Sequence, residues 1–148
     1  MELLFPQSQQ SFCIKVGNCI EKCFKEYILS KGIELFDKIE IKNEGVRQAD
    51  LFFIYKNKKY YFEIKNNINL DTEKAPAVLH KLNGADVDIK GVLIFRFDKK
   101  ENCFIHKCFD EYVYGYNDFF SIFNDELTAE NFEKILNLLR RKYYGTNI

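Results

Sequence analysis

Two runs of aromatic and β-branched residues, Ala49-Asp50-Leu51-Phe52-Phe53-Ile54-Tyr55 and Lys59-Tyr60-Tyr61-Phe62-Glu63-Ile64-Lys65, constrain this chain more than any other feature. Residues of these types suit a pleated, half-buried surface, so both runs read as strands. The polar Lys56-Asn57-Lys58 between them is short enough for a tight antiparallel connection. Such a hairpin returns Asp50, at the start of one strand, to the neighbourhood of Glu63 and Lys65 at the end of the other. Side chains alternate along a strand, so Glu63 and Lys65 share one face while Phe62 and Ile64 point to the other.

The flanking segments supply helices. From about Gln9 to Lys31, Phe12, Val16, Cys19, Ile20, Cys23, Phe24 and Tyr27 recur at three- and four-residue steps, which predicts an amphipathic helix ending near Gly32. Glu21 sits at the flank of that apolar stripe. Glu34 to Lys42 reads as a strand whose Leu35, Ile39 and Ile41 pack on the helix, and Asn43-Glu44-Gly45 turns the chain into the hairpin. After the polar connection Asn66 to Lys74, Pro76 opens a second helix that runs through Leu79 and Leu82 and stops before Gly84. Gly91 to Phe97 is nearly all apolar, as in a strand covered on both faces. Another strand is expected at Cys103 to Cys108, then the aromatic segment Tyr112 to Phe123, whose rings are chiefly core. The minority alternative for those rings is a dimer surface or a base-stacking platform. A last helix spans roughly Ala129 to Tyr143, with Thr128 and Gly145 as caps. The order predicts an α/β domain with a mixed central β-sheet flanked by α-helices.

The 148 residues are enough for one domain with a sizeable core and leave little for a second module. With 47% hydrophobic and 30% charged residues the chain is expected to be ordered. Its formal net charge of zero argues against sequence-independent electrostatic binding to nucleic acid. A metal-dependent enzyme is less constrained, because cations offset its acidic groups and local runs such as Lys56 to Lys59 or Arg140-Arg141-Lys142 can still meet phosphates. The Lys56 to Lys59 run is read first as a solvated hairpin tip. Five cysteines, no signal sequence and no long apolar span predict a protein of the reducing cytoplasm with no membrane association. Cys13, Cys19 and Cys23 read as buried small residues. Cys103, His106 and Cys108 are close in sequence, but on an extended segment Cys103 points away from the other two, and a fourth zinc ligand is not evident. His80 and His106 have no sequence neighbour that completes a catalytic constellation.

Two carboxylates and an ammonium at one sheet edge are suited to phosphodiester hydrolysis. That chemistry needs a metal to polarise the phosphate, an activated water, and a cation to steady developing charge. Asp50 and Glu63 are the oxygen ligands for Mg²⁺, with the carbonyl of Ile64 as a third oxygen. Lys65 is placed to orient or deprotonate water or to stabilise the transition state. Taken alone, Glu-x-Lys on a strand is more often a surface ion pair.

Asp50, a short hairpin and Glu63-Ile64-Lys65 together resemble the PD-(D/E)xK nuclease superfamily, the restriction-endonuclease-like fold. Gly17-Asn18-Cys19-Ile20-Glu21 resembles the Gly-x-x-x-Glu of that family's first helix, which makes Glu21 a third candidate carboxylate for catalysis and metal binding. The proline that precedes the aspartate in the motif is here Ala49. The order of helix, three strands, helix and strand is also that of the family core, so the likeness covers roughly residues 10 to 97. It implies a Mg²⁺-dependent endonuclease of duplex DNA, first of all a small type II restriction endonuclease acting as a homodimer on a two-fold target. The stretch Asn66 to Lys74 resembles the segment after the catalytic strand in some of these enzymes, which would lay Asn67, Asn69 and Lys74 along the DNA. The alternatives are a Holliday-junction resolvase or repair nuclease of the same fold, or, in another class, an inactive DNA- or protein-binding domain.

Overall fold

A computed structural model describes residues 9–66, 74–96 and 111–144. Within them the chain forms α1 (Gln9–Ser30), β1 (Lys38–Ile41), β2 (Gly45–Gln48), β3 (Leu51–Tyr55) and β4 (Lys58–Lys65). These are followed by α2 (Lys74–Gly84), β5 (Ile89–Ile94), β6 (Val113–Gly115), α3 (Tyr116–Ser121) and α4 (Glu126–Tyr144). The expected strand at Cys103 to Cys108, with its three possible zinc ligands, lies outside the described residues, as do Asn67 and Asn69.

The sheet has the order β3-β4-β5-β6. The hairpin β3–β4 is antiparallel with Tyr55 opposite Lys58, so Lys56 and Asn57 alone form its loop, both at positive φ (50° and 63°). That is the turn whose twist matches the strands it joins. β4 then pairs parallel with β5, and β5 with β6. A parallel neighbour requires a crossover, and α2 provides the one between β4 and β5.

Alternation along the strands divides the interior into two cores. Leu51 and Phe53 of β3, Tyr60, Phe62 and Ile64 of β4, and Leu93 and Phe95 face a large core. That core is closed by Val16, Ile20, Phe24 and Ile28 of α1, by Phe119 and Phe120 of α3, and by Leu136 of α4. Tyr61, Val92 and Ile94 face the opposite way, against Val78 and Leu82 of α2 and Ile39 and Ile41 of β1. Helices thus cover both faces of a mixed sheet. Each fully buried stripe residue of α1 contributes about 1.5–3 kcal/mol, which outweighs the roughly 1 kcal/mol cost of Gly17 within the helix.

Several expectations change. The strand expected over Glu34 to Lys42 splits: Leu35 makes a single bridge to Phe53, and β1 leaves the central sheet to pair with β2 alone. Leu35 packs in the α1 core while Ile39 and Ile41 pack against α2, so one straight strand cannot serve both. Cys19 and Cys23 are exposed, because each precedes a stripe residue and is rotated about 100° off the buried face. α4 begins at Glu126, and its cap is Asp125. Thr128 donates its N–H to Asp125 Oδ1 at 3.1 Å and its hydroxyl to Oδ2 at 2.7 Å. Arg140 is buried at 1% exposure, so it is not a phosphate contact. Its guanidinium bonds the carbonyl of Arg96, the amide oxygen of Asn137 at 2.8 Å and Glu133 at 3.6 Å, tying α4 to the end of β5. Arg141 and Lys142 remain exposed. Among the aromatics, Phe119, Phe120 and Phe123 are buried, as a core role requires.

Candidate functional site

The sequence delivers Asp50 and Glu63 to adjacent places by register. Leu51 pairs with Phe62, so Asp50, one residue earlier, stands across from Glu63. The Asp50 side chain turns back on the neighbouring strand, where Oδ2 accepts the Ile64 N–H at 2.9 Å. The Asp50 N–H in turn approaches Glu63 Oε2 at 3.4 Å.

Glu63 is 5% exposed, on the α2 side of the sheet. Its Oε1 accepts a bond from Lys81 Nζ at 3.1 Å, and the same ammonium bonds the carbonyl of Gln48 at 2.9 Å. Burial raises the Glu63 pKa, and the negative charge of Asp50 raises it further. Lys81 and then Tyr61 oppose that shift. The Tyr61 hydroxyl is sealed from solvent and approaches Glu63 without a well-formed hydrogen bond, and its own pKa is pushed far up by burial and by Glu63.

Asp50 also opens onto a cleft of about 420 Å³ at the end of β4, lined with Glu21, Gly17 and Asn18 of α1, Ile64, Lys65, Asn66 and Phe95. Glu21, Asp50, Ile64 and Lys65, four sequence-predicted residues, therefore border one space. Glu63 lies behind Asp50 and does not line it. Glu21 reaches the cleft from the other side of the sheet and pairs with Lys25 on its own helix at 3.4 Å. Among the described residues, no three His, Cys, Asp or Glu side chains stand close enough to hold a metal ion, so Glu21 does not join Asp50 and Glu63 in one cluster. Lys74 opens α2, and its side chain is not among those described. His80 is a surface residue whose Nδ1 lies 3.5 Å from a Glu44 carboxylate oxygen. Two larger grooves, of about 660 Å³ between α3 and α4 and about 850 Å³ beside β1 and the end of α2, contain none of the predicted site residues.

Lys81 and Tyr61 escaped the sequence reading. Lys81 is next to Leu82 on a short helix and looks like any solvated lysine. Only the packing of α2 on β4 turns it inward. The sole available signal for Tyr61 was parity, since it shares the Glu63 face. Two carboxylates with a neighbouring backbone carbonyl form a hard oxygen set. Mg²⁺ needs only one or two carboxylates and keeps its water, so this donor set fits such an ion. The buried Tyr61 hydroxyl adds a further polar atom beside Glu63.

No family model matches the sequence, and no curated protein and no solved structure matches it. Among the described residues, no helix is long and apolar enough to cross a membrane.

Proposed function

We propose that this chain is a divalent-metal-dependent nuclease with a restriction-endonuclease-like core, hydrolysing phosphodiester bonds of duplex DNA. The observation that carries the reading is the single cleft bordered by Glu21, Asp50, Ile64 and Lys65 at the end of the central hairpin. Asp50, which opens onto that cleft, and Glu63, whose Oε2 lies 3.4 Å from the Asp50 N–H, would hold the cation, with the Ile64 carbonyl as a third oxygen. When bound, the cation supplies Lewis-acid polarisation of a phosphate and lowers the pKa of water. Lys65, which lines the same cleft as Glu21, would orient that water or balance charge on the phosphate. Asp50 is fixed by the Ile64 N–H, so part of the reorganisation is completed before substrate arrives.

A second reading is favoured by one contact. The Lys81–Glu63 bond at 3.1 Å neutralises Glu63 without any metal, as in a binding domain that keeps the fold and lacks catalysis. Plasmid cleavage in Mg²⁺ separates the two. Native protein should nick or linearise the DNA, and Asp50→Ala and Lys65→Ala should each cut at least about a hundredfold more slowly. Cleavage by both variants at the native rate would remove the catalytic assignment.

A further inference from the structure

One of the two carboxylates, Glu63, is served by a cation that the chain itself carries. Lys81 Nζ bonds Glu63 Oε1 at 3.1 Å and the Gln48 carbonyl at 2.9 Å, and Gln48 lies two residues before Asp50. One ammonium therefore links both chain segments that bear the carboxylates.

Its place is enforced by the backbone. Val78 and Leu82 anchor α2 in the second core on either side of Lys81. At the helix end, a Cβ on Gly84 would stand 2.6 Å from Ile41 Cγ2 and 3.2 Å from the Lys42 nitrogen, so only glycine permits this approach to β1. The Gly84 carbonyl accepts the Lys42 N–H at 2.8 Å. With α2 held on the sheet by Val78 and Leu82 and closed on β1 at Gly84, the Lys81 stem runs to Glu63 and its side chain is only 23% exposed.

Resting on the metal-site reading above, we infer that Lys81 is a positioning residue, a resident counter-cation that holds Glu63 beside Asp50 and competes with a divalent cation for the pair. An ammonium on Glu63 Oε1 offsets the negative charge that would attract a divalent ion. An ammonium and a divalent ion a few ångströms apart repel enough to lower affinity by roughly tenfold, even at the dielectric of water. The device gives the empty site a neutralising partner and sets a threshold concentration that the metal must exceed to displace it.

Calorimetric titration of Mn²⁺ alone into the full chain tests this. Lys81→Met and Lys81→Gln should bind Mn²⁺ roughly tenfold more tightly than native protein, Lys81→Arg should stay near native, and Asp50→Asn should lose binding. Tighter binding is the discriminating result, because a lysine that only supported the fold would weaken the site on removal. In chelator both neutral variants should melt below native protein, and saturating Mn²⁺ should raise their melting temperatures more than that of native protein. Equal or weaker affinity in both, with Asp50→Asn still abolishing binding, would overturn the role of Lys81 and leave the metal site standing. Absence of binding in native and neutral variants, or binding indifferent to Asp50→Asn, would overturn both.

Discussion

The two faces of the central sheet are built from opposite materials. Toward α1, α3 and α4 the interior is aromatic: Phe24 meets Phe119 edge-on at 5.1 Å, Phe53 stacks on Tyr60 at 5.0 Å, and Phe119 packs against Phe120 and Phe123. Toward α2 the core is smaller, and it shares its volume with Glu63, Lys81 and the Tyr61 hydroxyl. A buried charge costs stability unless it is paired, so a fold keeps such groups where another face can carry the load. The contrast teaches that the buried carboxylate and its lysine lie on one side of the sheet and most of the aromatic load on the other, where the one buried charge among the described residues, Arg140, is held by the Arg96 carbonyl and Glu133.

Substitutions can break this division, starting with the largest effect. Phe24→Ala should destabilise the protein by about 3–5 kcal/mol in urea titration, since Phe24 is 1% exposed and touches three other rings. If the separation holds, the folded fraction should bind Mn²⁺ with native affinity. Leu82→Ala, on the other face, should cost about 2–4 kcal/mol and also change Mn²⁺ affinity, because its neighbour Lys81 loses its anchor. A Leu82→Ala protein with native metal affinity would show that the α2 core does not position the site.

The pH dependence of stability should carry opposite signs on the two sides. Glu63 has a raised pKa in the folded state, so the folded chain binds that proton more tightly than the unfolded one. In chelator its contribution is therefore fully present below the ordinary glutamate pKa and lost as pH rises through the raised value. Asp125, at the α4 cap, is lowered by its bonds to Thr128 and then to Tyr27. Its contribution is present above the ordinary aspartate pKa and lost as pH falls through the lowered one. Thermal melts from pH 3 to 8 should show Glu63→Gln removing the first slope and Asp125→Asn the second. The smallest change is Gly17→Ala. A Cβ there would lie 3.9 Å from Phe95, an ordinary contact, so the variant should gain about 0.5–1 kcal/mol by helix propensity alone. Loss of stability instead would mean that the cleft wall is tighter than the α1–Phe95 spacing indicates.

Much of this architecture was legible in the chain. The Val16, Ile20, Phe24 periodicity defined α1, and the alternating runs around Lys56-Asn57 defined the hairpin, because these signals arise from residues near one another in sequence. The split at Glu34 to Lys42 was not legible, since both halves mix apolar with charged residues and only the position of α2 decides which core receives Ile39 and Ile41. β2 was equally hidden: Gly45–Gln48 is exposed throughout and carries no alternating pattern. Arg140 illustrates the same limit in charge, for a basic run on a helix reads as solvated until a particular carbonyl, that of Arg96, claims one of its members.

For the candidate site, the sequence by itself predicted that a short connection at Lys56-Asn57-Lys58 returns Asp50 to Glu63, Ile64 and Lys65, and the fold supplies the two-residue turn and the register that put Asp50 across from Glu63. Tertiary structure decided the rest: that Glu21 comes around the sheet end to the same cleft, that Glu63 is buried behind Asp50, and that Lys81 meets it. Those facts depend on where two helices dock on opposite faces of the sheet. Docking is set by the summed fit of many side chains distant in sequence, which no local pattern encodes.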